Sequence, residues 1–477
     1  DIDKASVPAG YEDPVSWPDP FENATAKVDD LLHSAVSGRG EYLSAADAAG
    51  LDAALSAAFD EIAAYAGTAS AASFNSQQLQ QDTLVFRGFY NAQESVGDLV
   101  AQRIDLNTGE LVSPPYWSAA ASLDAVVPST RRFFTWNSET NAGIPFQNSL
   151  EEGSAVQQTS FASNAIATMA EQVAYLKGDR SVEPLLRARP SGGLLGDIVN
   201  STPVFVGAPS FENRDQGSYP LLGDFTYSVF KRAQKDRGGV VYVGSNDGML
   251  HAFDARNGGE LFAYIPNKII NGSDYANPLP ELLSPDYSHK FFVDNTPAIN
   301  DIFYDPNFET DSKRHWRTIL VGSLRAGGKG VYALDITDPV NFSQNKVIWE
   351  FDDSDDAYPT NADGSQVGDG LLLDPLGLPI KDLGYTYSVP TVVMTNVDPS
   401  YGSGAGGAFE TSGSLTSSEK KWAAVFGNGY NSTHGVAKLF MLFVEDGADG
   451  TWDDGDVVKV STGYGAPTSG PNAGLPN

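Results

Sequence analysis

The chain has 477 residues, of which 41% are hydrophobic, so it can form sizeable cores. Its 61 acidic residues outnumber 30 basic ones, and the formal charge of −31 repels nucleic-acid phosphates and anionic lipid. The excess of acidic residues either keeps the protein soluble or attracts divalent cations and basic partners. Cysteine is absent, which excludes disulfides, thiolate zinc sites and cysteine nucleophiles. No segment holds the roughly 18 apolar residues of a membrane span.

Residues 1–70 are predicted to form a linker followed by helices. Prolines crowd 1–21, and apolar residues recur at helical spacing over 28–36 and 51–62. Ser44 and Asp47 resemble a capping box before the second helix. Because the chain begins with Asp1 rather than methionine, we expect further sequence upstream.

Residues 71–193 mix two periodicities, which predicts an α+β region. Alternating patterns indicate strands at 84–86 and 97–106, with a turn at 107–109. A helical pattern follows at 164–176, and the glycine pair at 192–193 marks the next boundary.

Residues 194–477 are built on a repeat. A short strand opens three times with proline at positions 203, 297 and 390, at intervals of 94 and 93 residues. Each opening precedes a strand that ends in glycine, at Gly244, Gly322 and Gly427. A third strand (250–254, 331–335 or 438–442) and a fourth (261–264, 347–351 or 457–460) complete each unit. Four strands per unit are typical of β-propeller blades, and about three blades leave the ring incomplete.

Several strings occur in the order seen in one protein family. They are 195–203 (LGDIVNSTP), 241–254 (VYVGSNDGMLHAFD), 287–294 (YSHKFFVD), 327–339 (GGKGVYALDITDP) and 382–388 (DLGYTYS), with 17–20 (WPDP) and 36–42 (VSGRGEY) near the start. In this succession the chain resembles the PilC/PilY family of type IV pilus biogenesis proteins and pilus-tip adhesins. The resemblance covers nearly the whole chain.

The resemblance implies a mainly β fold, a partial modified β-propeller of the quinoprotein-dehydrogenase-like type preceded by a smaller α+β region. It also implies that a von Willebrand A-type domain precedes residues 1–70. The implied function is pilus assembly and surface adhesion at the pilus tip or outer cell surface, after secretion through the periplasm. The implied partners are minor pilins and a host or abiotic surface, with twitching motility as the associated behaviour. Some members bind calcium in a propeller loop, although this chain ends near where that loop is expected and 357–381 is interpreted as an insertion.

One acidic loop, 445–456, has spacing suited to calcium. Calcium takes six to eight oxygen ligands in a bent loop with glycine at the turn, and Gly450 stands at the sixth position. The third position is Gly447, which offers no side-chain oxygen, so Asp446 compensates. The alternative is a solvated acidic hairpin tip. The candidate ligands are Glu445, Asp446, Asp449, the Thr451 carbonyl, Asp453 and Asp456.

Other candidate sites are interpreted as structural. The cluster of Asp352, Asp353, Asp355 and Asp356 is predicted to be a solvated acidic run, because its turn glycine is distant. Glycines 402, 404 and 407 fit a dinucleotide pattern but are followed by no helix, and 327–330 lacks the spacing of a phosphate-binding loop. The five histidines, at 33, 251, 289, 315 and 434, are scattered, which favours structural or surface roles.

These observations favour a non-enzymatic protein that acts by binding. One rival is a quinoprotein (PQQ-type) dehydrogenase, because 254–262 (DARNGGELF) resembles the repeats of those enzymes. An incomplete ring and the absence of adjacent cysteines oppose it. A second rival is a structural filament component, which requires self-association.

Overall fold

A computed structural model describes the greater part of the compact unit Thr68–Asn477, which is separate from the unit Asp1–Gly67. The predicted helices at 28–36 and 51–62, Ser44, Asp47, His33 and His434 lie outside the described residues. None of the helices that the structure describes is long and apolar enough to span a membrane. The described residues are 72–74, 83–91, 94–147, 150–162, 167–183, 185–211, 223–270, 279–305, 313–356, 381–395, 409–411, 421–433, 435–450, 452 and 456–465.

The first sheet contains four strands in sequential order. The strand predicted at 97–106 ends earlier in the structure, at Arg103. The chain then turns at 107–109, where the Gly109 N–H donates to the Asp105 carbonyl at 2.7 Å. The strands are β1 (Ala72–Phe74), β2 (Leu84–Asn91), β3 (Val96–Arg103) and β4 (Trp117–Ser118).

The second sheet has six strands in the order β6-β5-β10-β9-β8-β7. The first predicted repeat supplies β7 to β10, and β5 joins β10 in parallel. Residues from the region predicted as α+β therefore extend the sheet of this blade. The strands are β5 (Phe133–Asn137), β6 (Ala142–Pro145), β7 (Val204–Val206), β8 (Val240–Ser245), β9 (Met249–Asp254) and β10 (Glu260–Ile265).

The third and fourth sheets correspond to the second and third repeats. Strands pair antiparallel in the orders β11-β12-β13-β14 and β15-β17-β18-β19-β16. The strands are β11 (Ala298–Tyr304), β12 (His315–Ser323), β13 (Gly330–Asp335), β14 (Val347–Asp352), β15 (Thr391–Met394), β16 (Phe409–Thr411), β17 (Trp422–Gly427), β18 (Val436–Phe443) and β19 (Val457–Gly465).

Short helices connect the sheets. The predicted helix at 164–176 is shorter than expected, and it begins with a capping box between Thr168 and Glu171. The α-helices are α1 (Ala119–Ala125), α2 (Ala155–Ala162), α3 (Met169–Leu176), α4 (Tyr227–Ala233) and α5 (Asn267–Ile270). The 3-10 turns are Pro128–Thr130, Arg180–Val182, Leu279–Leu283, Arg325–Gly327, Gln344–Lys346 and Asp446–Asp449.

The repeated openings link each sheet to the next. The Thr202 N–H donates to Thr296 Oγ1 at 2.8 Å, which joins the first two openings. Within a repeat, Ser201 Oγ accepts the Gly244 N–H at 2.8 Å, and Ser388 Oγ accepts the Gly427 N–H at 3.2 Å. The same hydrogen bond therefore recurs in the first and third repeats, which confirms the strand order predicted from the sequence.

The last three sheets share one large apolar core, whereas the first sheet packs with part of the second in a separate core that includes Phe86, Leu99 and Val241. In the last sheet, one face joins the main core and the other does not. Every residue of β8, β9, β13 and β14 is buried, so both faces of those strands are covered. In the last sheet, Phe426, Phe440 and Leu442 join the main core, whereas the opposite face forms a small separate cluster. The members of that cluster are Ala423, Phe443 and Val458, with partly buried Val425, Met441 and Val460 packed against them.

Candidate functional site

The predicted calcium loop connects β18 to β19, as expected for a hairpin. Gly450 has φ +84°, the left-handed conformation that favours glycine at the sharp turn. Gly447 also requires glycine, because a Cβ there would lie 2.5 Å from the Trp452 ring. The Trp452 indole N–H donates to the Glu350 carbonyl at 2.8 Å, so the loop is anchored on β14.

The described carboxylates of this loop have different surroundings. Glu445 Oε1 lies 2.7 Å from Arg314 Nε, and Asp446 Oδ2 lies 2.6 Å from Lys421 Nζ. Asp449 is exposed and Asp456 is buried. Thr451 and Asp453 lie outside the described residues. Among the residues that are described, no three His, Cys, Asp or Glu side chains are grouped to hold a metal ion. The described residues of the loop therefore do not by themselves fit a calcium site.

The acidic run at 352–356 was predicted to be solvated, and that prediction is wrong for three of its four aspartates, since only Asp355 is exposed. Asp352, Asp353 and Asp356 are 9%, 3% and 1% exposed. Lys268 Nζ, from α5, forms ion pairs with Asp353 and, at 3.5 Å, with Asp352. A buried carboxylate requires such a partner because burial removes its hydration.

Asp356 belongs to a four-residue ionic cluster that joins the second and third repeats. Lys459 Nζ pairs with Asp356 and lies 3.2 Å from Asp382 Oδ2. Lys438 Nζ lies 3.1 Å from Asp382 Oδ1. Burial lowers the pKa of Lys459, but Asp356 and Asp382 outweigh burial and raise it, so the lysine stays charged. The backbone N–H groups of Asp382 and Leu383 also donate to Asp356 Oδ2, at 2.7 and 2.5 Å.

A second buried network surrounds His251 on β9. Its two ring nitrogens lie 3.1 Å from Asp247 Oδ2 and 2.8 Å from Glu260 Oε1. Arg131 completes this network with two hydrogen bonds to Glu260, at 2.6 and 2.8 Å. Burial opposes a charged ring, yet the two carboxylates raise the pKa of His251 to about 9. Burial likewise opposes the charge on Glu260, and Arg131 and His251 lower its pKa to about 2.

The remaining sequence interpretations have mixed outcomes. Gly327 and Gly328 lie between β12 and β13, and Gly330 begins β13, which confirms the hairpin interpretation. The structural role predicted for histidine is confirmed at His251 and extends to His289, whose Nε2 lies 2.7 Å from Asp197 Oδ2. Glycines 402, 404 and 407 lie outside the described residues.

The family-like string at 382–388 forms a rigid bridge between two hairpins. Tyr385 and Tyr430 exchange backbone hydrogen bonds of 2.7 and 3.0 Å. Gly429 makes that approach possible, because its φ is +80° and a Cβ there would lie 1.8 Å from the Tyr385 carbonyl oxygen. On the other side, the Arg325 N–H donates to the Thr386 carbonyl at 3.2 Å. Main-chain bonds therefore hold this segment against both neighbouring repeats.

The bridge presents an aromatic and cationic surface, here called the tyrosine platform, formed by Arg325, Tyr387 and Tyr430. The two tyrosines are 42% and 57% exposed, and their rings meet edge to face at 6.4 Å. The Arg325 guanidinium lies 5.4 Å from the Tyr387 ring centroid. It makes no hydrogen bond or ion pair within the described part of the chain. Arg325 also has φ +55°, an uncommon conformation for a non-glycine residue.

The sequence analysis missed this platform and both ionic networks. Only Tyr387 of the platform had a sequence signal, because it belongs to the string 382–388. Arg325 and Tyr430 come from other hairpins. The cluster partners Lys438 and Lys459 lie far along the chain from Asp356. No local pattern brings these residues together.

Comparison with known proteins supports the repeat-based fold. A family model described as the PilY1 beta-propeller domain matches residues 195–402. Type IV pilus biogenesis factor PilY1 of Pseudomonas aeruginosa (strain PAK) is 31% identical over 458 residues, covering 91% of this chain and 33% of the relative. A Type IV pilus biogenesis factor PilY1 homolog of Xylella fastidiosa (strain Temecula1 / ATCC 700964) is 31% identical over 442 residues, covering 91% and 30%. The chain therefore spans about a third of the length of these curated relatives.

A solved structure is also similar to this chain. It is the crystal structure of the Pseudomonas aeruginosa PilY1 C-terminal domain, 31% identical, with a TM-score of 0.31 and coverage of 50% of this chain and 34% of that one. The family model and the two relatives that align with 91% of this chain agree with the ordered strings of the sequence. These findings support the PilC/PilY family of type IV pilus biogenesis proteins as the family that this chain resembles.

Proposed function

We propose that this chain is the propeller-containing part of a non-enzymatic type IV pilus assembly factor that acts by binding. The observation that carries the proposal is the family match, which extends over 91% of the chain to relatives named as pilus biogenesis factors. The described ion pairs at His251 and Asp356 join buried elements, which suits a rigid scaffold. We further propose an extracellular position at the pilus tip and a propeller related in shape to quinoprotein dehydrogenases.

The tyrosine platform is the proposed contact surface for a minor pilin. Tyrosine and arginine are the side chains most enriched at the energetic centres of protein interfaces. The Arg325 guanidinium makes no hydrogen bond or ion pair in the described chain, although its charge acts on the buried Asp294, so it can pair with a carboxylate of the pilin without first breaking an ion pair. The main-chain bonds of the bridge fix the platform in advance, which reduces the entropy lost on binding.

Binding to purified minor pilins tests this surface. Immobilised pilins from the source organism are titrated with the wild type and with Arg325→Ala/Tyr387→Ala, and affinity is read by interferometry. We expect about tenfold weaker binding or more from the double variant. The matched control is Arg103→Ala/Tyr116→Ala, which removes another exposed pair with the guanidinium 4.3 Å from the ring. Equal binding by both double variants would place the contact elsewhere.

A separate assay tests the absence of catalysis. The protein is incubated with pyrroloquinoline quinone, calcium and a panel of primary alcohols, and reduction of an electron-accepting dye is followed. We expect no reduction above that of the quinone alone. Reduction that depends on the protein would replace the binding proposal with the quinoprotein alternative. Light scattering over a concentration series tests the filament alternative, for which mass must rise with concentration.

Calcium regulation through 445–456 is a further proposal, and its support is the sequence spacing. A cation in this loop competes with Arg314 for Glu445 and with Lys421 for Asp446. Calorimetric titration of calcium into chelator-treated protein tests it, using Asp449→Ala/Asp453→Ala as the comparison. We expect heat in the wild type and none in the variant. No heat, or equal heat from both, would leave the loop as an acidic turn.

A further inference from the structure

A cleft of about 570 Å³ opens between the start of β5 and the end of α3, away from the tyrosine platform. Three of its lining residues are cationic, namely Arg131, Arg132 and Lys177. Phe133, Phe134 and Phe146 also line the cleft but are only 2%, 7% and 0% exposed, and Ser129 and Thr130 are further lining residues. The described lining residues include no aspartate or glutamate. This composition is opposite to that of the whole chain, in which acidic residues outnumber basic ones two to one.

Lys177 is the unusual member of this set. It is only 9% exposed, yet its ammonium makes no hydrogen bond or ion pair with the described chain. Its Nζ lies 5.7 Å from the centroid of the Phe133 ring, which is a weak electrostatic contact. Burial lowers the pKa of Lys177, and the positive charge of Arg131 lowers it further. A buried cation in such a position is costly unless an anion joins it.

The neighbouring charges are already matched to one another. Asp247, His251, Glu260 and Arg131 alternate in sign along the buried network, so their charges cancel. The same Arg131 donates to the Lys177 carbonyl at 3.2 Å, so this network ends at the cleft. The positive charge of Lys177 is left without a counterpart.

Arg132 occupies the other side of the cleft and is held by the main chain. Its two terminal nitrogens donate to the carbonyls of Val340 and Phe342, each at 2.9 Å. Asp338 is the carboxylate that acts on it electrostatically, and Asp338 is not part of the cleft lining. Arg132 therefore adds positive potential to the cleft from a fixed position.

We propose that this cleft binds a small organic anion, a carboxylate or phosphate monoester on an apolar body, with Lys177 as its charge partner. The anionic group pairs with the Lys177 ammonium, and Ser129 supplies a hydroxyl donor, whereas the Thr130 hydroxyl already donates to the Val127 carbonyl at 2.7 Å. The apolar body lies against the small exposed parts of Phe133 and Phe134, which are 2% and 7% exposed. The inference does not rest on the proposed role in pilus assembly.

Calorimetry with defined probes tests the proposal. Benzoate, phenyl phosphate and inorganic phosphate are titrated separately into wild type and into Lys177→Met, with Lys235→Met as the control, because Lys235 is exposed and pairs with Asp236. We expect at least one aromatic probe to bind, more tightly than inorganic phosphate, and Lys177→Met to weaken it by about tenfold or more. A preference for benzoate or for phenyl phosphate identifies the anionic group. Failure of all probes, or equal binding by Lys177→Met, would overturn the proposal.

Thermal unfolding separates an anion site from a structural lysine. Without added anion, Lys177→Met should melt at the same temperature as the wild type or higher, because it removes an uncompensated buried charge and retains the apolar stem. The aromatic probe should raise the melting temperature of wild type but not of the variant. A lower melting temperature for the variant, with no probe effect on wild type, would assign Lys177 a structural role.

A third measurement covers the case in which Lys177→Met does not fold. Wild-type lysines are labelled by reductive ¹³C-methylation, and the Lys177 resonance is assigned by its absence from Lys177→Arg. Adding the aromatic probe should raise the pKa observed at that resonance, because a bound anion favours the charged ammonium. An unchanged titration curve in the presence of saturating probe would contradict the proposal.

Discussion

Two acidic segments of this chain have similar compositions and opposite environments. The segment at 352–356 follows β14 and is mostly buried, whereas the loop at 445–456 connects β18 to β19 and exposes Asp449. The first segment pairs with the buried lysines Lys268 and Lys459. Two carboxylates of the second, Glu445 and Asp446, pair with the partly exposed Arg314 and Lys421. The density of acid in a sequence therefore does not decide whether that acid is hydrated or ion-paired.

The difference arises from residues that lie far away in sequence. Lys268 comes from α5 in the preceding repeat, and Lys459 comes from β19 in the following one. The buried segment lies where these repeats meet, so its carboxylates connect them. The loop at 445–456 projects beyond its own sheet, and its contact with β14 uses Trp452 rather than a carboxylate.

The largest effect is expected from breaking the buried cluster. Lys459→Met leaves Asp356 and one oxygen of Asp382 buried without this cation, which should cost about 3–5 kcal/mol of unfolding free energy. The matched variant Lys421→Met breaks the partly exposed pair with Asp446 and should cost about 1 kcal/mol or less. Urea unfolding followed by tryptophan fluorescence measures both. Similar losses in the two variants would remove the distinction between the segments.

An intermediate effect is expected at Glu350, a buried carboxyl on β14 that has no lysine partner. Burial raises its pKa to about 8, and its Oε1 accepts hydrogen bonds from the Tyr264 hydroxyl and, at 2.8 Å, from the Asn267 N–H. Because the folded pKa exceeds the unfolded value, the folded state holds a proton that the unfolded state releases. Stability should therefore fall as pH rises from about 4.5 to about 8.

Glu350→Gln tests that pH dependence. Glutamine keeps an acceptor oxygen for Tyr264 and Asn267 but does not titrate. The loss of stability between pH 5 and pH 8 should shrink by on the order of 2 kcal/mol in the variant. Urea midpoints across that range measure it. His251 titrates in both proteins, because its raised pKa gives stability that is lost as pH rises toward 9, so the comparison isolates Glu350. Parallel pH profiles for the two proteins would show that Glu350 is already ionised at pH 5.

Much of the fold could be predicted from the sequence because the repeat is local. The prolines at 203, 297 and 390, and strands ending at Gly244 and Gly427, indicated every strand of the three repeats except β16. The charged sites could not be predicted in the same way. The burial of Asp356 and the unpaired state of Lys177 depend on residues that the fold brings together from distant positions. The distance of the turn glycine favoured a solvated run at 352–356, and the structure contradicts this at Asp352, Asp353 and Asp356.

Lys421→Met has the smallest expected effect on stability, and it also tests whether the loop at 445–456 binds calcium. Lys421→Met releases Asp446 from its 2.6 Å ion pair. If the loop at 445–456 binds calcium, this variant should bind it a few-fold more tightly than wild type, because the cation no longer competes with Lys421. Calorimetry of chelator-treated protein measures the change. Calcium binding that is unaffected by Lys421→Met would show that Asp446 is not a ligand.

The measurement that tests the central claim most directly is pilus assembly in living cells. A strain of the source organism that lacks its own copy of this protein is complemented with wild type, Arg325→Ala/Tyr387→Ala or Arg103→Ala/Tyr116→Ala, and surface pili are counted by electron microscopy. Wild type and the Arg103/Tyr116 variant should restore pili, whereas the Arg325/Tyr387 variant, present at equal level, should restore few. Full piliation from the Arg325/Tyr387 variant would contradict the claim that the tyrosine platform supports assembly.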